Sequence, residues 1–102
     1  MVGFFKGGAM WIISLKQIDV RHLSSRPDRV AALRLHADRA KQRFLQELLK
    51  VFPDLEGTLN PVEWVIFPSL VAEVLFDDEL EWIRRWPEVC GLEWVPPRCR
   101  LT

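Results

Sequence analysis

The feature that most constrains this chain is a segment in which apolar residues recur every three or four positions. Charged side chains, among them Arg34, Asp38 and Lys41, fall between the members of an apolar series: Val30, Leu33, Ala37, Ala40, Phe44, Leu48 and Val51. This spacing places the series on one face of an α-helix. A serine before Pro27 is typical of a helix start, and Pro53 stops helical continuation. The sequence therefore predicts one long amphipathic helix from about Pro27 to Val51.

The segments around this helix predict three kinds of structure. Four of them are short and rich in apolar, aromatic or β-branched residues, as strands are: 10–16, 62–67, 70–75 and 89–95. We expect Pro68-Ser69 to join the second and third strands, and 54–61 to be a loop because it contains Gly57 and Asn60. Residues 77–86 predict a second helix, acidic where it begins and basic where it ends.

The resulting order is strand, helix, strand, strand, helix, strand. This order predicts an α+β fold of the ferredoxin-like βαββαβ type, with a four-stranded antiparallel sheet, two helices on one face and the other face open. Pro96-Pro97 ends strand pairing and predicts an extended C-terminal tail. We therefore divide the chain into a flexible leader (1–9), one domain (10–95) and a tail (96–102).

Composition narrows the classes of function. The 102 residues include 14 Lys+Arg and 14 Asp+Glu, and this zero net charge argues against nucleic-acid binding. No apolar run approaches the length of a membrane span, so we expect no membrane partner and a cytoplasmic location. Cys90 and Cys99 are expected to be reduced thiols, and His22 and His36 lie far from them in sequence. We therefore expect no metal, no cofactor and, without a recognisable catalytic motif, no enzymatic activity.

A resemblance to a known family begins at residues 75–95. With Val74 before it, this segment reads VLFDDELEWIRRWPEVCGLEWV. An aliphatic strand end is followed by an acidic helix start, a basic helix end, Pro-x-Val, a further aliphatic residue and an acid: Leu75, Asp77-Asp78, Arg84-Arg85, Pro87, Val89, Leu92 and Glu93. This pattern is similar to the last strand–helix–strand of subtilisin propeptides and of stand-alone proteinase B inhibitors. The segments WIISLK and LRLHADRAKQRFLQELLK resemble the first strand and first helix of that family.

The resemblance implies an inhibitor that binds a subtilisin-like serine protease, as a monomer forming a 1:1 complex, and that can act as a folding chaperone for it. Such inhibitors pack their open sheet face on the enzyme and lay the C-terminal tail into the substrate cleft like a cleaved product. Four tail residues would then occupy the cleft: Cys99, Arg100, Leu101 and Thr102. Extended peptides bind such clefts by main-chain pairing, with side chains in successive pockets.

Strand alternation nominates the residues of the open sheet face. If the carboxylates point away from the helices, five residues share that face: Glu63, Val65, Phe67, Val71 and Glu73. The opposite parity, in which Val65, Phe67 and Val71 point into the core, stays open. Trp82 and Trp86 lie off the apolar stripe of the second helix, so they suit either an exposed binding surface or packing against the first helix.

Three interpretations stay open at this point. The chain is a stand-alone inhibitor, a propeptide excised from a longer precursor, or a non-inhibitory ferredoxin-like adaptor or homo-oligomerisation module.

Overall fold

A computed structural model describes residues 9–61 and 66–96, which form one antiparallel sheet and two helices. The elements in chain order are β1 (Met10–Leu15), α1 (Arg26–Val51), a short 3-10 turn (Pro53–Leu55), β2 (Leu59–Pro61), β3 (Ser69–Ala72), α2 (Asp77–Arg85) and β4 (Val89–Val95). The fold is thus mixed α+β with the ferredoxin-like order of elements, as the sequence predicts.

The sheet has the strand order β2-β3-β1-β4, and every neighbouring pair is antiparallel. β1 lies inside the sheet, where Ile12 is opposite Val71 of β3 on one side and Glu93 of β4 on the other. The pairing of β1 with β4 shifts between Ser14 and Leu15, which leaves Cys90 as an extra residue on β4. This irregularity is a β-bulge on an edge strand.

Both helices pack on the same face of the sheet. Alternate residues of β1 and β3 point into the core, which is why Ile13 and Leu70 are fully buried. They form one cluster with residues of both helices, including Ala40, Phe44, Leu48, Leu80 and Ile83. Burying an aliphatic or aromatic side chain of this size contributes about 1.5–3 kcal/mol, so this single layer of contacts holds the helices on the sheet.

Local signals set the helix ends. The Ser25 side chain accepts a hydrogen bond from the Asp28 backbone N–H at 3.1 Å and caps α1, which begins at Arg26, one residue before the predicted start at Pro27. At the start of α2, the Glu79 carboxylate accepts a hydrogen bond from the Phe76 backbone N–H at 2.8 Å. α2 ends at Arg85, one residue earlier than predicted, and Pro87 follows.

The hairpin between the helices differs from the prediction. β2 is Leu59–Pro61, so the predicted loop 54–61 contains a strand, and of the predicted strand Val62–Phe67 only Ile66 and Phe67 belong to the described residues. Residues 62–65 lie outside the described part of the chain, and Ile66 and Phe67 form a bend. β3 covers Ser69–Ala72 rather than Leu70–Leu75.

The predicted Pro68-Ser69 turn is also wrong, because Ser69 begins β3 and the Pro68 carbonyl accepts a hydrogen bond from the Leu15 N–H at 2.8 Å. The physical reason for the displaced strand is burial. Leu59 is 6 % exposed and covers the core beside Ala72, its partner on β3. Pro61 is tolerated there because β2 is an edge strand.

No helix within 9–61 and 66–96 is long and apolar enough to cross a membrane. Of the predicted leader and tail, only Ala9 and Pro96 belong to the described residues.

Candidate functional site: the open face of the sheet

The sheet face opposite the helices is a partly apolar surface. The strand register places on it alternate residues of each strand: Asn60, Ser69, Val71, Met10, Ile12, Ser14, Gly91, Glu93 and Val95. The described helices contribute to the core cluster on the other side of the sheet. None of these face residues is fully buried: Asn60 and Glu93 are exposed and the others are half-buried. Ile12 and Val71 are cross-strand partners near the middle of the face, with the polar residues Glu93 and Asn60 opposite them on the outer strands and Met10 and Val95 at one end. The arrangement is that of a binding surface with an apolar centre and a polar rim.

Three of the five residues predicted for this face belong to the described chain. Val71 lies on the open face, because its neighbours Leu70 and Ala72 are buried in the core. Glu73 follows β3 directly and is exposed. Phe67 is 59 % exposed, but it precedes β3 in a bend and is therefore not part of a strand.

Glu63 and Val65 lie outside the described residues, as do the tail residues Cys99, Arg100, Leu101 and Thr102. Their predicted contacts stay predictions. β4 ends at Val95, whose partner on β1 is Met10. The chain segments before β1 and after β4 thus start from the same end of the sheet.

At this end of the sheet, sequence reasoning missed a groove. Trp11 and Trp94 are cross-strand partners whose ring centroids lie 5.1 Å apart, with the ring planes tilted by 56°. With the start of α2 they line an open groove of about 540 Å³. Its position depends on the pairing of the first strand with the last, so no local sequence signal could have located it.

The other tryptophan pair packs between the helices. Trp82 and Trp86 stack with their ring centroids 5.3 Å apart, and each ring lies 6.0 Å from that of Phe44 on α1. Both are half-buried against the core. Of the two alternatives, packing against the first helix is therefore the one observed. The Trp86 Nε1–H is buried without a hydrogen-bond partner among the described residues.

The groups with catalytic potential are far apart or have structural partners. The His36 Nε2 atom lies 2.8 Å from the Lys16 carbonyl oxygen, a contact that ties α1 to the end of β1. His22 is exposed in a turn, and Cys90 is an exposed free thiol. Within 9–61 and 66–96, no three His, Cys, Asp or Glu side chains are grouped to hold a metal ion.

One carboxylate has a clearly shifted pKa. Hydrogen bonds from the Arg21 guanidinium and backbone N–H lower the pKa of Asp19, and the same ion pair raises the pKa of Arg21. Both side chains are exposed in the loop between β1 and α1. Solvent screens such a pair, so we interpret it as local order in that loop.

These observations describe an uncovered sheet surface, without a described cluster that resembles a catalytic centre. No family model, curated protein or solved structure matches this chain, so its function is inferred from the fold and the surfaces alone.

Proposed function

We propose that this protein inhibits a subtilisin-like serine protease, binding it through the open face of the sheet. The observation that carries the proposal is the partly exposed apolar pair Ile12 and Val71 on the open sheet face, on a fold whose last strand is followed in sequence by Pro96-Pro97. The resemblance of residues 75–95 to subtilisin propeptides and proteinase B inhibitors names the class of partner. The proposal assigns no catalysis to the chain itself.

The sheet face offers two kinds of contact to a protease. Ile12 and Val71 supply apolar area that is half-buried in the free protein. Glu93 lies beside Ile12 on the neighbouring strand, and Glu73 is exposed just beyond the end of β3. Such carboxylates suit helix N-termini on the partner, since the partial positive charge there attracts anions.

The tail contributes the second half of the proposed interface. Residues 99–102 would add an extended strand to the substrate cleft, with Cys99 and Leu101 entering alternate pockets. The Thr102 carboxylate would lie against the catalytic serine as a cleaved product does. Pro96-Pro97 lower the entropy lost when such a segment docks.

With only two cysteines in 102 residues, we place the protein in the cytoplasm.

An inhibition assay against a broad-specificity subtilisin tests both halves. The full chain is compared with a version lacking residues 99–102 and with Ile12→Glu, which puts a charge in the apolar centre. Leu35→Glu is the matched control, because Leu35 is an exposed apolar residue on α1, away from the sheet face. We expect each of the first two changes to raise the inhibition constant at least tenfold, and the control to leave it within twofold.

Full inhibition without residues 99–102 would refute the tail mechanism alone. Full inhibition by Ile12→Glu, with an unchanged circular dichroism spectrum, would refute binding through the sheet face. Absence of inhibition by the full chain at high micromolar concentration would refute the proposed function.

The edge of the same sheet favours a second candidate, a non-inhibitory homo-oligomerisation module. β4 is a seven-residue edge strand, and edge strands with free main-chain groups pair readily with another copy. Sedimentation velocity separates the candidates. A concentration-dependent dimer, in a protein without effect on the protease, supports this second function.

A further inference from the structure

The groove at the Trp11–Trp94 end of the sheet lies on the opposite side from the open face. Trp11 has the same strand parity as the buried Ile13, and Trp94 is its cross-strand partner, so both rings belong to the helix side. α2 begins at Asp77 and buries its own Leu80 in the core, but it leaves this corner open. Trp94 is consequently 45 % exposed. Glu73, just beyond the end of β3, belongs both to this groove and to the predicted sheet face.

The groove combines an aromatic wall with unpaired carboxylates. Besides the two tryptophans, its lining includes Leu75, Leu80, Glu73 and Asp77. Neither Glu73 nor Asp77 forms an ion pair with a cation in the described part of the chain, although Glu47, Glu81 and Glu88 do. The net field of the groove is therefore negative, on a surface rich in indole.

The rim of the groove is apolar. Val74 belongs to the lining and is 60 % exposed. Phe76, two residues later, is 66 % exposed. Large apolar side chains exposed together are unusual on a surface with no partner. Both residues belong to the chain segment that connects β3 to α2.

We propose that this groove binds an arginine side chain of an extended peptide segment in a partner protein. A guanidinium group stacks on indole faces and donates hydrogen bonds to carboxylates, and the lining supplies both kinds of partner, two tryptophans and two acids. Apolar residues flanking the arginine contact Val74 and Phe76. The volume of about 540 Å³ lies in the range of ligand pockets and accommodates the arginine with part of a neighbouring side chain.

The probe is the capped peptide acetyl-Leu-Arg-Leu-amide, titrated into the full-length protein and followed by ¹H–¹⁵N NMR. Its control is the same peptide with citrulline in place of arginine, which keeps the shape and removes the charge. We expect the arginine peptide to shift the indole N–H signals of Trp11 and Trp94, and to leave those of Trp82 and Trp86 unchanged. The citrulline peptide should bind at least tenfold more weakly, and added salt should weaken the arginine peptide.

Two double variants test the carboxylates. E73Q/D77N removes the acids of the groove and should weaken the arginine peptide about tenfold. E81Q/E93Q removes the same number of charges elsewhere and should change its affinity less than twofold. Equal binding of the arginine and citrulline peptides, or undiminished binding by E73Q/D77N, would overturn the proposal.

The cations of the chain's own terminal segments are the rival occupants. If the full-length variant K6Q/R98Q/R100Q binds the peptide tenfold more tightly than the original chain, the groove serves those segments, and the assignment to a partner fails. Unchanged affinity in that variant supports the proposal.

Discussion

The contact between α1 and α2 depends on Phe44, and replacing it with leucine has a calculable cost. Phe44 is fully buried, and its ring lies 6.0 Å from each of the rings of Trp82 and Trp86. Each aromatic contact contributes roughly 0.5–1.5 kcal/mol beyond burial. Leucine keeps most of the apolar volume and loses both contacts. We therefore expect Phe44→Leu to lower the free energy of unfolding by about 2 kcal/mol, and Tm by roughly 8–16 °C.

The assay is urea unfolding at 25 °C, followed by far-UV circular dichroism and by tryptophan fluorescence. Leu35→Ala is the control on the same helix: Leu35 is 51 % exposed, so its truncation should change the free energy of unfolding by less than about 0.5 kcal/mol. A double-mutant cycle with Trp86→Phe isolates one ring contact, for which we expect a coupling of roughly 0.5–1.5 kcal/mol. A loss below about 0.5 kcal/mol in Phe44→Leu would refute this account of how the helices are joined.

Three further predictions concern local structure. Glu79→Ala removes the hydrogen bond to the Phe76 N–H and should cost about 1 kcal/mol in urea unfolding, whereas Glu79→Gln should restore most of it. Gly57→Ala should cost about 1 kcal/mol although nothing lies within 4 Å of the added Cβ, because Gly57 has φ of 83°; a neutral outcome would contradict this. The pKa of Asp19 is lowered, so the stability that its ion pair contributes is present above the unfolded pKa and lost as pH falls through the folded pKa. An NMR titration should give Asp19 a midpoint below 3.8, moving upward in Arg21→Gln; an unmoved midpoint would exclude the ion pair as the cause.

The sequence predicts the elements whose signals are local. The apolar period of α1, with Ser25 before it, identifies the first helix to within one residue. β4 lies between Pro87 and Pro96, and its predicted range is the observed one. In these places the residues that stop or cap an element are also the residues that determine its ends, so no tertiary information is needed.

The second strand could not be predicted because its position depends on a partner far along the chain. Residues 62–67 have stronger β propensity than 59–61, which contain a proline and follow Gly57. Pairing with β3 overrides propensity here, since it buries Leu59 beside Ala72. A proline at the end of an edge strand costs little, so the turn-like composition is misleading.

The same limit applies to the candidate sheet face. Alternation alone shows that Leu70 and Val71 point to opposite sides, but not which side meets the helices. That choice is made by the packing of Leu70 against the core of both helices. Likewise, Trp11 and Trp94 become neighbours only through the register of β1 with β4.

The central position of β1 has a consequence for synthesis. Both of its neighbours lie much later in the chain: β3 begins at Ser69 and β4 at Val89. A nascent chain can form α1 by itself, yet the strand MWIISL has no partner until most of the domain has left the ribosome. During that interval a strand rich in β-branched and aromatic residues is open to pairing with other chains. Expression at low temperature, or with a chaperone that shields extended segments, should therefore raise the yield of folded protein more than any change on the surface of α1.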